Sequence, residues 1–212
     1  MSGPVLCALD AAGTRSTWRA AGFAVDGDGA VRIGHVAVRT GAAARGIGSW
    51  TFAALEPGAV GTDGVDGLAT AGGGMLVEPA VHPNGAALVD HVVVWSPDGD
   101  RTTRALEALG LPVRRVVEAT RSGMHVRQTF LRAGEVIVEL VSPVDSPAGG
   151  AGSARFFGIA CTVVDLDACA ALLGDVLEPV RDAVQPERRI ATLRHKQLGL
   201  DVAVAFMSPP PT

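Results

Sequence analysis

The stretch "LVDHVVVWSPDGDRTTRALEALGL", residues 88–111, decides the fold, because in it an apolar strand leads directly into a short helix. The strand is predicted over 88–95, Asp100 is a candidate N-cap, and Gly110 is a candidate helix stop. Strand alternation places His91 among apolar residues on one face, so we expect it to be partly buried. Such a histidine is either a core residue satisfied locally or a group held towards a cavity for chemistry.

Three further strands are predicted after this helix, over 113–118, 124–132 and 135–141. The middle of the chain therefore forms a strand-helix-strand-strand-strand motif, written βαβββ. The last part of the chain repeats this order, starting with "FFGIACTVV" and an Asp-capped helix in "DLDACAALLGD". The closing strands "VIVELVSP" and "VAVAFMSP" align without a gap, which indicates an internal repeat.

The domain organisation follows from this repeat and from two Gly/Pro-rich linkers. We predict an α+β protein made of repeated βαβββ motifs that form mixed sheets. The predicted parts are a degenerate N-terminal motif at 1–70, a linker at 71–85, a motif at 86–143, a linker at 144–154, and a second motif at 155–209.

The composition limits the classes of function. With 48% hydrophobic residues and a net charge of −4, the chain is expected to be globular, and it lacks the basic stripe of a nucleic-acid-binding protein. Aromatic residues make up only 4% and tyrosine is absent, which leaves little for base stacking. No signal peptide or membrane span is apparent, and the three cysteines form no CxxC pair, so we predict a cytoplasmic protein with reduced thiols.

The middle motif resembles the vicinal oxygen chelate superfamily, the group of glyoxalases, bleomycin-resistance proteins and extradiol dioxygenases. The resemblance lies in "DHVVVWSPDGDRTTRALEALGL" and in the closing strand "EVIVELVSP". It implies curved sheets around a cup-shaped cleft, with a divalent metal held by residues of the first and last strands. His91 and Glu139 match those two positions, so the resemblance implies that they are metal ligands for Zn, Ni, Mn or Fe.

Half of the ligand set that the resemblance implies is missing. In the second motif Gly158 occupies the position of the histidine and Ala205 that of the glutamate. The first segment has neither group at the matching places. A direct hydrogen bond between imidazole and carboxylate, without a metal, therefore remains an alternative for His91 and Glu139.

Four other residues are candidate substrate ligands. His125 and Gln128 lie on a strand that should line the cup, but alternation places them on opposite faces, so only one can point inwards. Thr192 and Arg194 share a face of a later strand, and an arginine that enters the cup would suit a carboxylate or phosphate on a ligand.

These observations leave three functional hypotheses. The first is a metal-dependent lyase, isomerase or oxygenase acting on a small molecule, in which Glu139 also serves as the catalytic base. The second is a metal-free protein that binds or sequesters a small molecule, as bleomycin-resistance members of the superfamily do. The third is an inactive interaction module. Because three motifs cannot all pair within one chain, we also predict a homodimer.

Overall fold

The computed structural model describes residues 3–121, 123–144 and 150–211. The chain forms two compact units, each made of three separate segments. Unit 1 contains Met1–Cys7, Ser49–Met75 and His91–Phe157. Unit 2 contains Ala8–Gly48, Leu76–Asp90 and Gly158–Thr212.

The N-terminal part of the chain contains one short helix and five strands. They are β1 (Val5–Ala11), α1 (Arg15–Ala20), β2 (Ala30–Ile33), β3 (Val36–Thr40), β4 (Ile47–Ala53) and β5 (Thr70–Ala71). In unit 2, β1 pairs in parallel with β3, and β3 pairs antiparallel with β2. In unit 1, β4 pairs in parallel with β5.

The middle part of the chain forms the predicted βαβββ motif. Its elements are β6 (Ala86–Trp95), α2 (Gly99–Ala108), β7 (Val113–Arg121), β8 (Met124–Ala133) and β9 (Val136–Pro143). The N-cap of α2 is Asp98, whose extended backbone lets its carboxylate accept a hydrogen bond from the Arg101 amide at 2.9 Å. The prediction of Asp100 as the cap was therefore wrong; this residue lies in the first turn, where its charge suits the helix dipole. Gly110 ends the helix region with a positive φ of 98°, as predicted.

In unit 1 the strands of this motif follow the order β6, β9, β8, β7, with a parallel first pair and antiparallel pairs thereafter. One face of the sheet packs under α2. The fully buried side chains on that face and on the helix are Val92, Val94, Leu106, Leu131, Val138 and Leu140. The opposite face carries mostly half-buried side chains, with Val126 and Gln128 buried, and α2 does not pack on it.

The last part of the chain repeats the motif. Its elements are β10 (Arg155–Val163), α3 (Leu166–Leu173), β11 (Arg181–Asp182), β12 (Arg189–Thr192) and β13 (Ala203–Met207), with two short 3₁₀ helices at Gly174–Val176 and His195–Leu198. In unit 2, β10 and β13 are parallel, and β13, β12 and β11 follow in antiparallel pairs.

The two motifs share one register, which confirms the gapless alignment of their closing strands. In the middle motif His91 pairs with Ile137. In the last motif Gly158 pairs with Ala203, which are the aligned positions. The predicted fold class is confirmed: the protein is α+β, with βαβββ motifs and curled mixed sheets, one of which forms a half-barrel cup. Among the described residues, no helix has the length and apolar character needed to cross a membrane.

His82 fixes the segment before β6 within unit 2. Its Nδ1 accepts a hydrogen bond from the Ala24 amide at 3.1 Å, so its Nε2 carries the proton and donates to the Arg32 carbonyl at 3.0 Å. The ring also packs edge-on against Phe23. Burial lowers the pKa of His82 below its usual value of 6.5, against opposing effects of the Arg32 carbonyl and Asp26.

This histidine predicts a pH dependence of stability. The pKa of His82 is lower in the folded state than in the unfolded chain. Below about pH 6.5 the unfolded chain therefore binds a proton that the folded chain does not bind. The free energy of unfolding should then fall with decreasing pH, by at most about 1.4 kcal/mol per pH unit from this group. Urea unfolding should be measured between pH 7.5 and 5, values that span the reference pKa of about 6.5. The free energy of unfolding should fall less steeply with decreasing pH for His82→Gln than for the wild type. Equal slopes would contradict this role.

Candidate functional site

The open face of the sheet in unit 1 is built by strand register. Because paired residues of neighbouring strands share a face, His91 and Ile137 lie in one row across the sheet. The next row contains Val93, Glu139 and Phe130. The row after it contains Trp95, Val141 and Gln128. Arg132 pairs with Ile137 and completes the first row, so His91, Glu139, Gln128 and this arginine lie on one face among mainly apolar side chains.

His91 and Glu139 converge on this face. The Nε2 atom of His91 lies 3.3 Å from Oε2 of Glu139, and their side chains are 12% and 14% exposed. A carboxylate that is so nearly buried requires a partner, since desolvation disfavours its charged form. From the sequence, this convergence is expected if the first and last strands are neighbours, and in the structure they pair.

Gln128 is the second partner of Glu139. This side chain is buried, and its Nε2 donates a short hydrogen bond to Oε1 of Glu139. The two carboxylate oxygens are thus engaged from opposite strands, Oε2 towards His91 on β6 and Oε1 by Gln128 on β8. The carboxylate is held in a fixed orientation on the open face.

His125 lies on the other face of β8 and does not join this group. Its side chain is 50% exposed, and its Nε2 lies 3.8 Å from Oε2 of Glu118. Arg127 shares that face and reaches Asp100 of α2 at 2.9 Å, which identifies it as the helix side of the sheet. Of the two candidates on β8, the inward one is therefore Gln128.

Thr192 and Arg194 belong to unit 2. Thr192 is half-buried and pairs with Ala205, and its carbonyl accepts a hydrogen bond from the Glu178 amide at 2.8 Å. The guanidinium of Arg194 binds the Glu178 carboxylate at 2.9 Å, and this hydrogen bond raises the pKa of Arg194 and lowers that of Glu178. Arg194 therefore already has a carboxylate partner.

The positions of the second motif that match His91 and Glu139 cannot supply ligands. A Cβ atom on Gly158 would collide with the carbonyl oxygen of Ala203 and lie 2.8 Å from its Cβ. A histidine there would require the β13 backbone to move. Ala205 offers no donor atom, so this repeat lacks the pair for steric as well as chemical reasons.

The pair in unit 1 has the chemistry of a divalent-metal site with few ligands. A nitrogen and an oxygen that bind one ion at about 2.1 Å each lie about 3.0–3.4 Å apart, and the observed separation is 3.3 Å. This distance is long for a direct N–H to oxygen hydrogen bond. Among the described residues, no group of three or more His, Cys, Asp and Glu side chains surrounds a common point. The residues present thus fit a weakly held ion.

The contact between Gln128 and Glu139 was not predicted, although the sequence contains a signal for it. Gly134 and Glu135 form a two-residue turn between Ala133 and Val136, which fixes the register of β8 and β9. That register places Gln128 opposite Val141, one diagonal step from Glu139 on the same face.

Comparisons with known proteins agree with the fold of this motif. Residues 90–192 match the model of the Glyoxalase/Bleomycin resistance protein/Dioxygenase superfamily. The matched residues cover a little under half of the chain and contain the group around Glu139, and the match confirms the resemblance predicted from the sequence. A comparison with curated proteins gave no match.

Solved structures show the same fold over nearly the whole chain. A mutant of 4-hydroxymandelate synthase from Streptomyces coelicolor is similar at 13% identity, with 98% of this chain and 93% of that chain covered and a TM-score of 0.63. A mutant of homoprotocatechuate 2,3-dioxygenase from Brevibacterium fuscum is similar at 16% identity, with 98% and 72% covered and a TM-score of 0.60. At these identities the likeness concerns the fold.

Proposed function

We propose that unit 1 binds a divalent metal ion through His91 and Glu139, and that the protein is a metal-dependent lyase, isomerase or oxygenase acting on a small molecule. The observation that carries this proposal is the convergence of an imidazole nitrogen and a carboxylate oxygen, 3.3 Å apart, on the open face of the sheet. Zn, Ni, Mn and Fe all accept this nitrogen and oxygen pair.

The roles of the residues follow from their contacts. When bound, a divalent ion would supply a Lewis acid for a substrate oxygen. Glu139 is the base that moves a proton on a carbon next to a carbonyl group. Gln128 holds one oxygen of that carboxylate by its N–H, and so keeps the other directed towards His91. Trp95 and Phe130 provide apolar surface beside the pair.

The affinity for metal should be modest. Catalytic zinc sites usually keep three protein ligands, whereas this site offers two among the described residues. An ion held by so few ligands is easily lost during purification. The proposed activity therefore requires added metal.

The alternative is a metal-free protein that binds a small molecule on the same face. It is favoured by the second motif, where Gly158 and Ala205 replace the ligand pair and a side chain at Gly158 would collide with β13. In this case His91 and Glu139 would interact directly, and Gln128 would complete a polar group on the mainly apolar open face.

The metal proposal predicts a thermal shift. Zn, Ni or Mn should raise the melting temperature of the wild type, because a ligand that binds only the folded state stabilises it. The same ions should leave His91→Ala unshifted. His125→Ala is the matched control, since it removes a histidine from the same unit on the other face of the sheet, and it should keep the wild-type shift.

The two proposals give different results in this experiment. If His91 and Glu139 only contact each other, His91→Ala should lose about 1–3 kcal/mol of stability because Oε2 of Glu139 loses its partner, and no divalent metal should shift the wild type. If none of these metals changes the melting temperature of the wild type, the metalloenzyme hypothesis is excluded and the hypothesis of a metal-free binding protein remains.

We also infer that the protein works in the cytoplasm as a homodimer. All three cysteines, Cys7, Cys161 and Cys169, are buried free thiols, as is usual in a reducing compartment. Burial raises the pKa of Cys161 well above its usual range, so this thiol is inert. Dimerisation is supported by the odd number of predicted motifs, one of which would lack a partner within the chain.

The dimer has a direct test. Light scattering of the full chain at micromolar concentration should give twice the chain mass of 21.6 kDa. A monomer under these conditions would contradict the homodimer, and it would leave the metal proposal unaffected because His91 and Glu139 lie in one unit of one chain.

A further inference from the structure

A cavity of about 590 Å³ lies in unit 1 where α2 ends and β7 begins. Two arginines line it, Arg114 and Arg132, together with Glu107. We propose that this cavity binds the oxyanion of a small molecule, a carboxylate or a phosphate, between the two guanidinium groups. The site is distinct from the proposed metal site, since neither His91 nor Glu139 lines it.

A β-bulge directs the first arginine to the cavity. Val113 pairs with Leu131, and the next pair in the ladder joins Arg115 to Phe130, so Arg114 is the extra residue of the bulge. Bulges leave one residue out of the ladder and re-aim its side chain, and they are common beside binding sites. The backbone amide of Arg132 binds the Pro112 carbonyl at 3.0 Å, which fixes the second arginine on the adjacent strand.

The two arginines of this cavity are exposed and, like several other exposed arginines of unit 1, have no carboxylate partner among the described residues, whereas two arginines of the unit do. Arg101 binds Asp66 at 2.8 Å, and Arg127 binds Asp100 at 2.9 Å. Within the described part of the chain, Arg114 and Arg132 make no ion pair. Residues on a diagonal of an antiparallel pair are about 7–8 Å apart. Two neighbouring cations repel each other, and Glu107 offsets only one of the two charges, so an anion between them lowers the remaining cost.

One wall of the cavity is formed where two glycines pack closely against the N-terminal segment. Gly110 and Gly134 lie against the N-terminal segment so closely that an added Cβ would meet Pro4 at 3.0 Å and Val5 at 2.5 Å, respectively. Both glycines have positive φ, which a larger residue would not tolerate. The two strands that carry the arginines are therefore held beside a fixed surface.

The balance of charge defines the ligand class. Two guanidinium groups and the single carboxylate of Glu107 leave one net positive charge at the cavity. Guanidinium groups bind carboxylate and phosphate through two parallel hydrogen bonds, and the volume is that of a small-molecule site. A small organic anion fits this cavity.

The test is a titration of the full chain with inorganic phosphate and, separately, with succinate, followed by NMR at constant ionic strength. Both Arg114→Gln and Arg132→Gln should weaken binding about tenfold or more, since each removes charge-assisted hydrogen bonds. Arg155→Gln is the matched control, because Arg155 is an exposed arginine of the same unit outside the cavity. Glu107→Gln should strengthen binding by removing a like charge.

The outcomes separate the sources of the oxyanion. Tighter binding of phosphate would indicate a phosphorylated ligand, tighter binding of succinate a carboxylic acid, and either supports the site. An equal loss in Arg155→Gln would show a non-specific charge effect and overturn the proposal. The proposal would also be overturned if the wild type bound neither phosphate nor succinate.

Discussion

The parallel pairing of β6 with β9 is the constraint on which the rest of the structure depends. It joins the first and last strands of the middle motif, although every paired position lies 46 residues from its partner in the sequence. With His91 opposite Ile137, one face packs under α2 and the other presents His91 and Glu139 together. A slip of one residue would turn Glu139 towards the helix and bury an unpaired carboxylate in the core, so the register of the fold and the chemistry of the site are specified together.

The second motif keeps this register but not its chemistry. Gly158 and Ala203 stand where His91 and Ile137 stand in the first, and the β10 backbone approaches β13 too closely for a side chain at Gly158. Unit 2 instead buries a different polar group: Arg188, at 8% side-chain exposure, binds Asp90 at 2.7 Å. A repeated backbone thus supports a polar pair on an open face in one unit and a buried ion pair in the other.

The sequence predicted the order of elements, the repeat and the His91 and Glu139 pair, because these depend on period-two alternation, capping residues and local turns. The cap of α2 was misplaced to Asp100 because Asp98 and Asp100 both lie where the helix begins, and backbone angles decide between them. Gln128 was recognised as a candidate but its contact with Glu139 was not, since this contact requires the hairpin register. The partner of Arg194 and the bulge at Arg114 depend on tertiary contacts that alternation does not encode.

Equilibrium dialysis of the untagged protein against zinc, followed by elemental analysis, tests most directly whether His91 and Glu139 form a metal site. The wild type should take up one zinc ion per chain, and His91→Ala and Glu139→Gln should take up none, because each variant removes one of two ligands. Gln128→Leu should retain the ion with weaker affinity, since it loosens Glu139 without removing a ligand. Equal zinc contents in the wild type and His91→Ala would contradict the site.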